Sequence, residues 1–120
     1  MPGTSRPRVA VVGVCGSGKT TVVERLRQLQ FDAFAVGQEH SIIHDLWNHQ
    51  RPDLVVYLQA SLATVRARRG PTWPRWIYET QQHRLEDARD HACVVVDTGA
   101  LAEDETVTRI VDAITPRSRT

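Results

Sequence analysis

Fifteen side chains in this 120-residue sequence are basic, and only one of them, Lys19, is a lysine. It stands in Gly13-Val14-Cys15-Gly16-Ser17-Gly18-Lys19-Thr20, the spacing G-x-x-x-x-G-K-T that cradles phosphate. The glycines let backbone N–H groups turn inward around phosphate oxygens, and the following helix N-terminus adds a positive dipole end. An ammonium is a compact point charge on a flexible stem and reaches between the β- and γ-phosphates, where a planar guanidinium does not fit. Gly13, Cys15, Gly16, Ser17, Gly18, Lys19, Thr20 and Thr21 are the candidate nucleotide contacts, with Cys15 as a small filler of the loop. Lys19 is also a candidate catalytic residue, and the Thr20 hydroxyl is placed to ligate magnesium.

Phosphoryl transfer needs positioning and positive charge more than covalent help. Arg66 and Arg69, three apart, share one side of an expected helix; Arg68 points elsewhere, and Arg75 stands across the Gly70-Pro71 break. Arg66 is assigned to the nucleotide, and Arg69 and Arg75 to the moving phosphoryl group; the alternative for each is a solvated surface charge. Glu39 follows Gly37 at the end of an expected strand, the edge where parallel sheets bind ligands, and is the candidate general base or magnesium organiser. His40, Asp45 and Trp73 are candidate substrate contacts; for Trp73 the alternative is packing an expected lid helix onto the body. His40 and His44, four apart, could instead face a zinc ion completed by Glu39 or His49.

Elements that would position these residues can be read along the chain. Strands are expected over residues 8–13, 31–36, 53–58 and 93–97, and helices over 19–30, 41–49, 61–69, 72–91 and 103–114. In the 41–49 helix Ser41 is the cap, and Ile42, Ile43, Leu46 and Trp47 form the buried side. Strands alternating with helices predict an α/β fold: a small, about four-stranded, mostly parallel sheet flanked by helices on both faces, with a short arginine-bearing lid. Residues 8–115 read as one domain, after a flexible lead-in over 1–7 and before a flexible tail over 116–120.

With the loop placed, Arg51-Pro52-Asp53-Leu54-Val55-Val56-Tyr57-Leu58, followed by Arg66, Arg68, Arg69 and Gly70, resembles the second half of a thymidylate or deoxynucleoside kinase. In that branch of the P-loop kinases a Pro-Asp-Leu strand leads to an arginine-bearing helix, a lid, a long helix and a strand ending in an acid. The resemblance implies a single-domain P-loop NTPase fold and a glutamate near the reacting hydroxyl, the place taken here by Gln38-Glu39-His40. It also implies that Asp97, Thr98 and Gly99 lie where such kinases hold the adenine edge by backbone contacts. The family has a further strand beside the first, ending in an Asp-Arg pair, for which this chain is too short. Either the second strand moves in beside the first and brings Glu39 to the magnesium, or the protein binds nucleotide without turning it over.

Acids and bases nearly balance at a net charge of +1, so no nucleic-acid footprint and no polybasic membrane patch is expected. No stretch has the length of a membrane span, the apolar start runs directly into the loop rather than into a cleavage site, and a cytoplasmic protein is expected. Cys15 and Cys93 are too few and too differently placed for a disulfide framework. The function expected from the sequence is transfer of the γ-phosphoryl group of ATP, with GTP as the alternative nucleotide, to a small acceptor with Mg²⁺. A nucleotide-binding regulatory module and a slow ATPase are the other readings.

Overall fold

A computed structural model of the chain describes residues 7–115. The expected tail, and the lead-in apart from Pro7, lie outside the described residues. Strands β1 (Arg8–Gly13), β2 (Asp32–Ala35), β3 (Leu54–Gln59) and β4 (Val94–Asp97) pair in the order β2-β1-β3-β4, every pair parallel. Around them lie α1 (Lys19–Gln28), α2 (Leu62–Arg69), α3 (Arg75–Arg84), α4 (Glu86–Asp90) and α5 (Glu103–Ile114).

The central strands are buried on both sides and therefore read as continuous apolar runs rather than as alternating ones. Val9 and Val11 pack on one face with Val22, Val23 and Leu26 of α1 and Ile110 and Ile114 of α5. Ala10 and Val12 pack on the other with Val65 of α2, Tyr78 of α3 and Ala88 of α4. The result is a sheet between two helical layers, as the alternation of strands and helices predicts. Gln30, left-handed at φ 72°, ends α1, and Arg27 Nε donates to Ala33 O, so the chain re-enters the sheet directly beside β1. This is the first of the two arrangements left open by the sequence: the second strand takes the place next to the first.

Two expected helices are corrected. Residues 41–49 do not form one; Ile42 is 80% exposed, and only a single 3₁₀ turn, Leu46–Asn48, is helical. The buried Gln38 side chain takes over the backbone groups that a helix would have paired, since its Nε2 donates to Ile43 O and its Oε1 accepts from Trp47 N–H. Trp47 is buried as expected, with its indole N–H on Asp87 Oδ2. The long helix over 72–91 starts only at Arg75 and breaks at Leu85. Gln38 Nε2 also donates to Arg84 O, drawing that carbonyl out of the helical ladder at the break. The same side chain thus meets both the open 41–49 segment and the break at Leu85.

Candidate functional site

Parallel strands send all four carboxyl ends to one edge of the sheet, and the loops that follow them meet there. The loop after β1 opens into α1 through Gly18 at φ 97°, a conformation few other residues adopt. Gly13 has no room for a side chain: a Cβ there would lie 2.7 Å from Leu58 O. Gly18 offers no side-chain cap, and the first turn of α1 carries no acid, so its unpaired N–H groups keep their positive end uncompensated.

Lys19 Nζ donates to Gly13 O at 2.8 Å and lies 2.5 Å from Glu39 Oε2. With Glu39 only 3% exposed, this is a nearly dry ion pair between the loop and the segment after β2. Glu39 reaches it because Gln38, fully buried beside it, is fixed by its three hydrogen bonds, while Arg84 Nη1 donates to Glu39 O. The other carboxylate oxygen, Glu39 Oε1, is buried with no hydrogen-bond partner among the described residues.

A cavity of about 360 Å³ opens here, lined by Cys15, Gly16, Gly18, Lys19, Thr20 and Thr21 of the loop and by Glu39, His40, Arg68 and Arg69. A second, of about 280 Å³, continues between α1 and α5 and is lined by Ser17, Thr98, Leu101, Glu103 and Thr106 among others. Gly18, Thr21 and Arg68 belong to both walls. At the second cavity's rim Arg25 bonds Glu103 and Asp104, which hold its guanidinium above the ordinary arginine range.

Arg68 is placed otherwise than its helical spacing predicts. Its Nη1 donates to Gly16 O at 2.7 Å and to Thr98 Oγ1, and its Nη2 to Thr98 O at 2.8 Å. Thr98, 9% exposed, donates in turn to Ser17 O at 2.7 Å, so the loop is stapled to the turn after β4. Asp97 and Gly99 shape that turn rather than line a cavity: Asp97 Oδ1 accepts from Gly99 and Ala100 N–H, and a side chain at Gly99 would collide with Thr64. Loss of the Arg68 bonds should cost about 1–3 kcal/mol, since hydrogen bonds from charged groups exceed ordinary ones. Thermal or urea unfolding of Arg68→Ala checks this, beside Arg75→Ala at an exposed position, expected within about 0.5 kcal/mol of wild type.

Of the other residues singled out by sequence, Arg69 reaches the loop cavity and His40 lines it. Arg66 is spent within its own segment, with Nε on Trp73 O. Trp73 packs against the core on the α2–α3 face, and Tyr78 of the same cluster has its phenol pushed up by burial and by the Asp97 charge. Asp45 is exposed and faces His49 at 3.3 Å; neither it nor Arg75 lines either cavity. His44 is exposed and joins no group of possible metal ligands among the described residues. Two glutamines without a role in the sequence reading hold the site together: Gln38, and Gln81, whose Oε1 accepts Cys15 N–H at 3.0 Å. Glutamines on an expected loop and an expected helix carry no signal of burial.

No protein-family model matches the chain, and no curated protein matches it. The arrangement must therefore be read from its own chemistry. Thr20 and Glu39 offer hard oxygen donors to one cavity, and the buried, partnerless Glu39 Oε1 is the kind of acceptor that a hydrated divalent ion satisfies. These residues fit Mg²⁺ accompanied by a polyphosphate.

Proposed function

We propose that the protein is a small phosphotransferase with a reduced P-loop kinase fold, moving the γ-phosphoryl group of ATP, or of GTP, to a small hydroxyl or phosphate acceptor. The observation that carries this reading is the buried Lys19–Glu39 pair in the wall of a glycine-rich cavity at the carboxyl edge of the sheet. An isolated buried ion pair is an expensive structural device, since desolvation offsets most of its attraction. A polyphosphate entering the cavity gives Lys19 a new anionic partner and releases the carboxylate for work.

On this reading the first-turn N–H groups of α1, Lys19 and Arg69 surround the phosphates, and the base and ribose occupy the second cavity beside Thr98. Thr20 and Glu39 would hold the magnesium. That ion would supply positive charge against the charge that develops on the transferring phosphoryl group. For a hydroxyl acceptor, the acceptor oxygen would bond to the γ-phosphorus as the bond to the bridging oxygen breaks, and the acceptor's proton would pass to Glu39 where that carboxylate acts as the base rather than as a magnesium organiser, or otherwise to solvent. Ile42 and Ile43, in the 41–49 segment that forms no helix, are exposed and leave that side of the molecule without a covering helix. The same reading puts the protein in the cytoplasm.

The test is a transfer assay with γ-labelled ATP, Mg²⁺ and pooled nucleosides, nucleotides, sugars and small alcohols. Label on one acceptor class is the expected result. Release of phosphate with no labelled acceptor would make the protein an ATPase, and nucleotide binding with neither product a binding module.

A further inference from the structure

The mouth of the loop cavity also holds three donors of different kinds. Cys15 Sγ lies 3.5 Å from His40 Nε2, and His40 Nε2 lies 3.5 Å from Glu39 Oε2. One ligand atom of each residue falls within 4.8 Å of the others. We propose that Cys15, Glu39 and His40 form a binding site for a single borderline-soft divalent metal ion, with zinc the best fit.

Geometry and donor chemistry agree. Zinc holds sulfur at about 2.3 Å and nitrogen or oxygen at about 2.0–2.1 Å. Tetrahedral angles then put sulfur and nitrogen about 3.6 Å apart, and nitrogen and oxygen about 3.3 Å apart. Two edges of the tetrahedron therefore already stand at coordination spacing before any ion enters. One thiol, one imidazole and one carboxylate are all zinc ligands, and magnesium and calcium do not select sulfur. Three protein ligands leave a fourth position for water or an incoming anion.

The ligands are held in place from behind. Gln81, 5% exposed, accepts Cys15 N–H and donates through Nε2 to Cys15 Sγ at 3.3 Å, fixing the sulfur from outside the trio. Gln38 pins the 3₁₀ turn Gln38–His40 that carries the other two ligands. Glu39 Oε2, the oxygen at coordination spacing from His40, also accepts from Lys19 Nζ, so an ion bound there takes that oxygen from the ammonium or turns the buried Oε1, which has no partner among the described residues, toward itself. On coordination the Cys15 thiol proton passes to solvent and no oxidant or reductant is involved. Because Glu39 is shared, metal at this site excludes the magnesium nucleotide complex. That competition, unlike the site itself, rests on the proposed function.

Cobalt(II), a spectroscopic substitute for zinc, tests the site without any nucleotide. Titration of the wild-type protein should give a near-ultraviolet thiolate-to-cobalt band that saturates at one equivalent and is abolished by Zn²⁺. Cys15→Ser should lose the band, Cys93→Ser should keep it, and His40→Ala, at an exposed position that does not threaten folding, should weaken binding at least about tenfold. No band at saturating cobalt would overturn the proposal. So would a band that survives Cys15→Ser, disappears in Cys93→Ser, or is unaffected by His40→Ala. A site that holds cobalt as predicted but is indifferent to ATP with Mg²⁺ would retain the metal site and contradict the placement of Glu39 at the nucleotide.

Discussion

ATP with Mg²⁺ is expected to raise the melting temperature of the wild-type protein, and Lys19→Ala to remove most of that rise. A ligand bound only by the folded state contributes about 2.7 kcal/mol at about a hundred times its Kd. The same substitution should lower the stability of the ligand-free protein, because it leaves Glu39, 3% exposed, without its counter-charge. Removing one member of a buried pair costs about 3–5 kcal/mol, and adding Glu39→Gln to Lys19→Ala should recover part of it. The two effects separate cleanly when the nucleotide-induced shift is measured against each variant's own baseline. Lys19→Arg should also fail. Gly13 O, Val14 O and Glu39 Oε2 converge on one nitrogen, matching the three protons of an ammonium and not a flat guanidinium fork. A full shift in Lys19→Ala at non-saturating nucleotide would contradict the role given to the loop.

Glu39→Gln should retain the fold and nucleotide binding while reducing phosphoryl transfer about 10²- to 10⁴-fold, the range of a lost general base or metal-organising group. The amide is of nearly the same shape and its oxygen can still accept from Lys19 Nζ, so the connection between the two loops survives. Initial rates of label transfer, with binding measured separately by calorimetry, distinguish the chemical loss from a binding loss. Transfer within a few-fold of wild type would remove Glu39 from the reaction.

Much of this was legible in the chain because local chemistry and global architecture agree there. The run Arg8–Gly13, the glycine loop and the start of α1 at Lys19 are all set by short-range spacing. The strand Leu54–Gln59 and the last strand also announce themselves as apolar runs in front of turn residues. What could not be read depends on side chains acting across the fold. Ile42, Ile43, Leu46 and Trp47 have helical spacing, yet Gln38 supplies those backbone groups with partners of its own, and the segment stays open. Arg66 and Arg69 share a helix face, but Arg68 at the end of α2 reaches the loop because Gly16 O and Thr98 O lie beyond that helix end. The cluster Cys15, Glu39 and His40 joins residues from two loops whose meeting requires β2 beside β1, the one topological question that spacing left open.

The most direct measurement is a crystal structure with Mg²⁺ and a non-hydrolysable ATP analogue. Lys19 Nζ should leave Glu39 and lie about 3 Å from β- and γ-phosphate oxygens, with Glu39 in direct or one-water contact with the magnesium. Lys19 still paired to Glu39, with the analogue bound away from residues 13–20 or not at all, would contradict this.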